Sequence, residues 1–193
     1  MCPAPDTYLL MSTAMPSSAH STVSPLPPAP GVGRPDNDAH VELRAWMNVL
    51  LGTLYDAVAR AGLDWLVAFL NTRVPGNLGG PLASVPRIQE AVGTMAALRH
   101  ANRRLLDAAA LAADSGEPDD EIAGGALKFT VTGNAIRALE LALQVSGNHG
   151  LSRHNPLERH YRDALCSRIH TPQNDTILGA AGRQALAAFR DSA

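Results

Sequence analysis

Two glycine-punctuated stretches and one arginine-rich stretch hold most of the chemistry that this sequence could do. Gly76-Asn77-Leu78-Gly79-Gly80, with Arg73 just before it, and Gly147-Asn148-His149-Gly150 can each present backbone N–H groups near a helix end, where a phosphate would be held. Neither follows a strand pattern, so neither is a dinucleotide fingerprint or a P-loop. A helix C-cap and its turn account for each motif taken alone. Arg153, Arg159, Arg162 and Arg168 are opposed by Glu158 and Asp163, with Glu158 and Arg162 at the favourable i,i+4 spacing, so this stretch reads as a salt-bridged helix.

Metal and nucleophile chemistry find less support. A carboxylate-bridged di-iron bundle needs Glu-x-x-His on two helices, and Glu42, Glu90, Glu117, Glu121, Glu140 and Glu158 all lack a histidine three positions later. His149, His154, His160 and His170 follow no zinc spacing and read as solvated or capping side chains, so no metal site is expected. Cys166 and His170, four apart, would share a helix face, but nothing supplies an orienting group or an oxyanion hole. Cys166 is expected to pack in the core instead.

The elements that would position these residues are helices. Six prolines, at 75, 81, 86, 118, 156 and 172, fall at segment edges. Between them apolar residues step by three or four: Leu43, Met47, Leu50, Leu54, Val58, Ala61 and Trp65 first, then Val85, Ile88, Val92, Met95, Leu98, Leu105 and Ala109. Ile122, Ala126, Phe129, Gly133, Ile136 and Leu143 form a third stripe. No alternating β-branched run is long enough for a sheet. The expected fold is all-α: an antiparallel four-helix bundle with a short extra C-terminal helix. Asn155-Pro156-Leu157-Glu158 predicts an N-cap, a first-turn proline and a third-position glutamate, and Thr171-Pro172 is a similar start for the last helix. Gly124, Gly125 and Gly133 predict a close helix crossing. The few polar positions on the first and third helices predict an exposed apolar face that drives association.

Residues 1–35 differ, with eight of the chain's 14 prolines, eight Ser/Thr and only Asp6 and Arg34 charged. They are expected to be a disordered Pro/Ser-rich tail, with the bundle at 36–193. Tyr8-Leu9-Leu10-Met11 is too short for a secretory core, and no basic residues precede it. A net charge of −2 with two cysteines, Cys2 and Cys166, argues against nucleic-acid binding and a disulfide framework. No apolar run has membrane-spanning length, and the expected location is cytoplasmic.

In order, Arg73 and its turn, Pro81-Leu82, Gln89, Gln144-Val145-Ser146-Gly147-Asn148-His149-Gly150, and Asn155-Pro156-Leu157-Glu158-Arg159-His160-Tyr161-Arg162-Asp163 resemble the carboxy-terminal helical domain of the acyl-CoA dehydrogenase family. The resemblance covers about residues 40–188. It implies FAD as cofactor, contacted by Arg73, Gln89 and the turn Gln144, Gly147 and Gly150, the turn reaching the cofactor of a neighbouring subunit. It also implies a homo-oligomer, or a heteromer with a full-length relative, in which alone an acyl thioester would be substrate.

Three departures from the family pattern bear on function. Asn148 stands where the turn usually has a second glycine, and Val-Pro-Gly-Asn-Leu-Gly replaces the usual Phe-Gly after the arginine. The family's catalytic glutamate maps onto Thr171 or Pro172, depending on the gap in Ile169–Ile177, so no catalytic residue is assigned. Some members carry the base on the first bundle helix, where this chain has Met47 and Asn48 with Glu42 a turn away; Asp175 is another carboxylate out of register.

Complete members also have an amino-terminal helical domain and a middle β-domain, which residues 1–35 are too few to supply. The expected function is the FAD-contacting helical portion of an acyl-CoA dehydrogenase-like flavin oxidoreductase, a truncated or split product. Loss of the glutamate also suits monooxygenase-like members, which need no α-proton base. The alternatives are a noncatalytic partner subunit of a full-length relative and an unrelated helical interaction module.

Overall fold

The computed structural model describes residues 37–191, and the expected tail of residues 1–35 lies outside them. The first helix, α1 (Asn37–Thr72), meets no proline for 36 residues. It ends as Val74, which precedes Pro75, is pushed out of the helical region. After a single 3-10 turn at Leu82–Ser84, α2 (Pro86–Asp114) opens on its proline, whose missing N–H costs nothing at a helix start. Gly116, at φ +76°, closes α2 in a conformation that side chains with a Cβ resist. The next helix, α3 (Glu121–Ser146), is capped by Asp120, whose Oδ1 accepts from the Ile122 and Ala123 N–H groups at 2.9 and 2.8 Å. Three further helices follow: α4 (Asn148–Leu151), α5 (Leu157–Leu165) and α6 (Asn174–Asp191). There is no strand among the described residues.

Contacts along the helices set their directions. Asn48 meets Gly124, Gly52 meets Val131 and Gly62 meets Leu139, so α1 and α3 run parallel. Meanwhile Leu106 touches Gly52 near one end and Ile88 lines a cleft with Leu70 at the other, so α2 runs antiparallel to α1. Leu157 packs at Gly62 while Ser167 lies at Lys128, which makes α5 antiparallel as well. The result is the expected bundle, in which the fourth member is only nine residues long and the last helix runs to 18. Glycines permit the closest approaches: a Cβ at Gly52 would stand 2.9 Å from Leu106, and one at Gly62 would stand 2.6 Å from Leu139.

Several expectations need correction. The predicted α1 stripe is largely outside: Leu43, Met47, Leu50 and Leu54 are exposed. The core face is Ala45, Val49, Tyr55, Ala59, Leu63, Leu66 and Leu70. Both faces of α1 are apolar, and the buried one carries Gly52 and Gly62, which admit Leu106 and Leu139. The third stripe is similarly rotated, the core taking Val131, Ala135, Ala138, Leu139 and Ala142, with Ile136 common to both. Gly124 and Gly125 do lie in crossings, against Asn48 and Ile177, whereas Gly133 faces open space. Asn155 does not cap α5; its Nδ2 donates to the His149 carbonyl at 2.8 Å and ties down α4. Thr171 and Pro172 precede α6 without starting it. No helix among the described residues is long and apolar enough to cross a membrane.

Candidate functional site

In an up-down-up arrangement the C-terminal ends of α1 and α3 and the N-terminal end of α2 share one end of the bundle. The predicted residues sit there. Arg73 directly follows α1; its N–H donates to the Phe69 carbonyl at 2.9 Å and its own carbonyl accepts from Leu82 N–H at 2.9 Å, while the residue as a whole is exposed. Gln89, in the first turn of α2, is exposed, and its Nε2 donates to the Ala83 carbonyl at 2.9 Å. It lines a cleft of about 330 Å³ with Val67, Leu70, Asn71, Ile88 and Val92. Gln144 is exposed on the last turn of α3.

The turn after α3 is anchored to α1 by ring contacts. Trp65 stacks on Phe69 at 5.2 Å, and Phe69 meets the His149 ring at 5.1 Å. Gly147 has φ +56° and open space where a Cβ would lie, and its N–H donates to the Leu143 carbonyl at 3.0 Å. Gly150 is different: it is buried, and a Cβ there would collide with Ser146 Oγ and crowd Leu157 and Leu143. Packing therefore demands glycine at 150, and conformation demands it at 147. Arg73, Gln89, Gln144 and Gly147 share one end of the bundle with surface to offer, whereas Gly150 supports the turn from within.

The segment holding Thr171 and Pro172 lies at the other end, between α5 and α6. Sequence reasoning passed over the side chain that organises it. Lys128, fully buried in α3, donates from Nζ to the carbonyls of Ser167 at 2.7 Å, His170 at 2.7 Å and Pro172 at 2.6 Å. Burial pushes its pKa below the ordinary lysine value. The available signal was compositional: Lys128 is the sole lysine among 16 basic residues.

From α1, the Tyr55 hydroxyl is hydrogen-bonded to His170 Nδ1 at 3.0 Å. Burial, and secondarily the neighbouring Cys166, raise the Tyr55 pKa. The His170 ring is thus turned to Tyr55, and Cys166 is exposed rather than packed in the core, its Sγ directed at the Arg162 carbonyl at 3.7 Å. The two side chains thus have separate partners, the Arg162 carbonyl for Cys166 and the Tyr55 hydroxyl for His170.

A second polar centre joins the three long helices. Buried Asn102 donates from Nδ2 to Asp56 Oδ1 at 2.9 Å and to the Val131 carbonyl at 3.0 Å, and accepts from Asn134 Nδ2 at 2.9 Å. Arg99 reaches Asp56 at 3.7 Å. The predicted Glu158–Arg162 pair forms at 2.9 Å, and Tyr161 ties α5 to Glu140 of α3 at 3.4 Å. No group of three His, Cys, Asp or Glu side chains suited to a metal occurs among the described residues.

Residues 49–186 match the family described as acyl-CoA dehydrogenase, C-terminal domain. A Bacillus subtilis (strain 168) protein named as an acyl-CoA dehydrogenase is 33% identical over 127 residues, which are 65% of this chain and 33% of that protein. Cyclohex-1-ene-1-carbonyl-CoA dehydrogenase of Geobacter metallireducens is 32% identical over 129 residues, 67% of this chain and 33% of that protein. The solved structure of butyryl-CoA dehydrogenase from Megasphaera elsdenii shares the fold, with a TM-score of 0.68 at 24% identity over 76% of this chain and 38% of that one. The chain spans about a third of the length of the curated relatives it matches.

Proposed function

Because the chain belongs to the acyl-CoA dehydrogenase family, matching its C-terminal domain, we propose that it is the FAD-contacting helical part of an acyl-CoA dehydrogenase-like flavin oxidoreductase. The observation that carries this reading is the gathering of Arg73, Gln89, Gln144 and Gly147 at one end of the bundle. The donor set fits a dinucleotide: a guanidinium suits pyrophosphate oxygens, and carboxamides suit the edges of a ring. Gln89 has one N–H engaged by Ala83, which leaves its Oε1 and second N–H for a ligand. Open space at Gly147 lets a ligand approach the backbone. Bound FAD would supply hydride acceptance; these residues would hold and orient it.

Titration of FAD against the purified chain, followed by flavin fluorescence, is expected to show weak saturable binding. A charge-assisted contact contributes about 1.5–3 kcal/mol, so Arg73→Ala weakens binding about ten- to a hundredfold. Equal affinity in parent and variant would remove Arg73 from the site.

The exposed row Leu43, Met47, Leu50 and Leu54 favours a second element of the reading, association with a further protein surface. This includes the alternative of a noncatalytic partner to a full-length relative. Light scattering at micromolar concentration is expected to find the chain larger than a monomer, and Leu50→Glu with Leu54→Glu to shift it toward monomer. A monodisperse monomer of the parent chain would dispose of self-association.

A further inference from the structure

We propose that Lys128 is a positioning residue, a tethered ammonium whose cage of three carbonyls holds the Ser167–Pro172 segment and accepts only a compact cation of that kind. Three acceptors converge on Nζ, at 2.7, 2.7 and 2.6 Å. A neutral amine has two N–H bonds and would turn its lone pair toward the third oxygen, so the geometry requires the charged form with every hydrogen donated. No carboxylate pairs with Lys128 among the described residues; the compensation comes from backbone dipoles alone.

Residue type supports the same conclusion. The chain uses arginine at 15 of its 16 basic positions and lysine here alone. A planar guanidinium cannot direct three hydrogens at three oxygens around one point, whereas an ammonium can. The segment so held is the one whose Thr171 and Pro172 stand, by resemblance, at the family's base position. That alignment rests on the reading above; the cage does not, and no readout below involves flavin.

The single lysine makes the test direct. In ¹⁵N-labelled parent chain at neutral pH, one slowly exchanging NH₃⁺ resonance is expected, because exposed lysine amines exchange too fast to be seen. Lys128→Met, similar in length and uncharged, is expected to speed amide exchange at 168–171 at least tenfold while leaving α2 unchanged. In Lys128→Ala, ammonium chloride is expected to restore protection, and tetramethylammonium chloride at the same concentration is not. Three results would overturn the proposal: no slow lysine resonance, unchanged protection in the methionine variant, or equal recovery in both salts. Where neither variant folds, the parent resonance decides alone, present in support or absent against.

Discussion

Purified chain supplied with FAD, a panel of acyl-CoA thioesters and an artificial electron acceptor is expected to show no turnover above the blank. Dehydrogenation of an acyl thioester removes an α-proton as hydride leaves for the flavin. A base must therefore reach that proton, within about 2.6–3.2 Å or through one water. Thr171 and Pro172, which by resemblance stand at the family's base position, cannot accept a proton at neutral pH. The carboxylate nearest in sequence, Asp175, opens α6, where its Oδ1 accepts from the Thr176 N–H at 2.7 Å. On α1, Asn48 is buried against Gly124, and Glu42 is exposed a turn and a half earlier. Holding the acyl carbon against a flavin is worth about 7–11 kcal/mol, and in the expected architecture that task belongs to a β-domain. Without a base in reach and a clamp on the acyl chain, the rate falls by many orders of magnitude. Turnover that vanishes in Arg73→Ala would defeat this expectation and make the 193 residues a self-sufficient enzyme.

Asn102→Leu is expected to lower the stability of the bundle by about 2–4 kcal/mol, since each buried polar group left without its partner costs about 1–3 kcal/mol. Asn102 is fully buried and joins Asp56 of α1 to Val131 and Asn134 of α3. Leucine fills the volume but strands the Asp56 oxygen and the Asn134 amide where water has little access. Urea denaturation monitored by helical circular dichroism measures the loss. Asn134→Ala, at a half-buried position that leaves the Asn102–Asp56 bond in place, should cost less. A leucine variant within about 0.5 kcal/mol of the parent, the range of ordinary surface substitutions, would show the network to be dispensable.

The helices were readable because apolar spacing and proline placement reinforce each other; the common end of Arg73, Gln89 and Gln144 follows from the up-down-up order of α1, α2 and α3. Periodicity, however, reports a spacing and not a phase. Along α1, Leu43, Met47, Leu50 and Leu54 repeat as regularly as the residues that are buried. The choice was made by Gly52 and Gly62, whose missing side chains admit Leu106 and Leu139. Lys128 was illegible for another reason. Its partners are backbone carbonyls 39 to 44 residues away, and a carbonyl has no letter in the sequence. Asn102 falls in the gap between Leu98 and Leu105 of the second apolar stripe, and its partners lie on two other helices.

The Lys128 cage also bears on what acyl thioesters can do to this chain without any enzyme. Thioesters transfer acyl groups to free amines, and the attacking species is the neutral nitrogen with its lone pair. Lys128 is the only side-chain amine present, and all three of its hydrogens are committed inside the bundle. The other basic side chains are arginines, which stay protonated and are poor acyl acceptors. In the folded state, no lysine on the surface is open to acylation, however reactive the thioester it is placed beside.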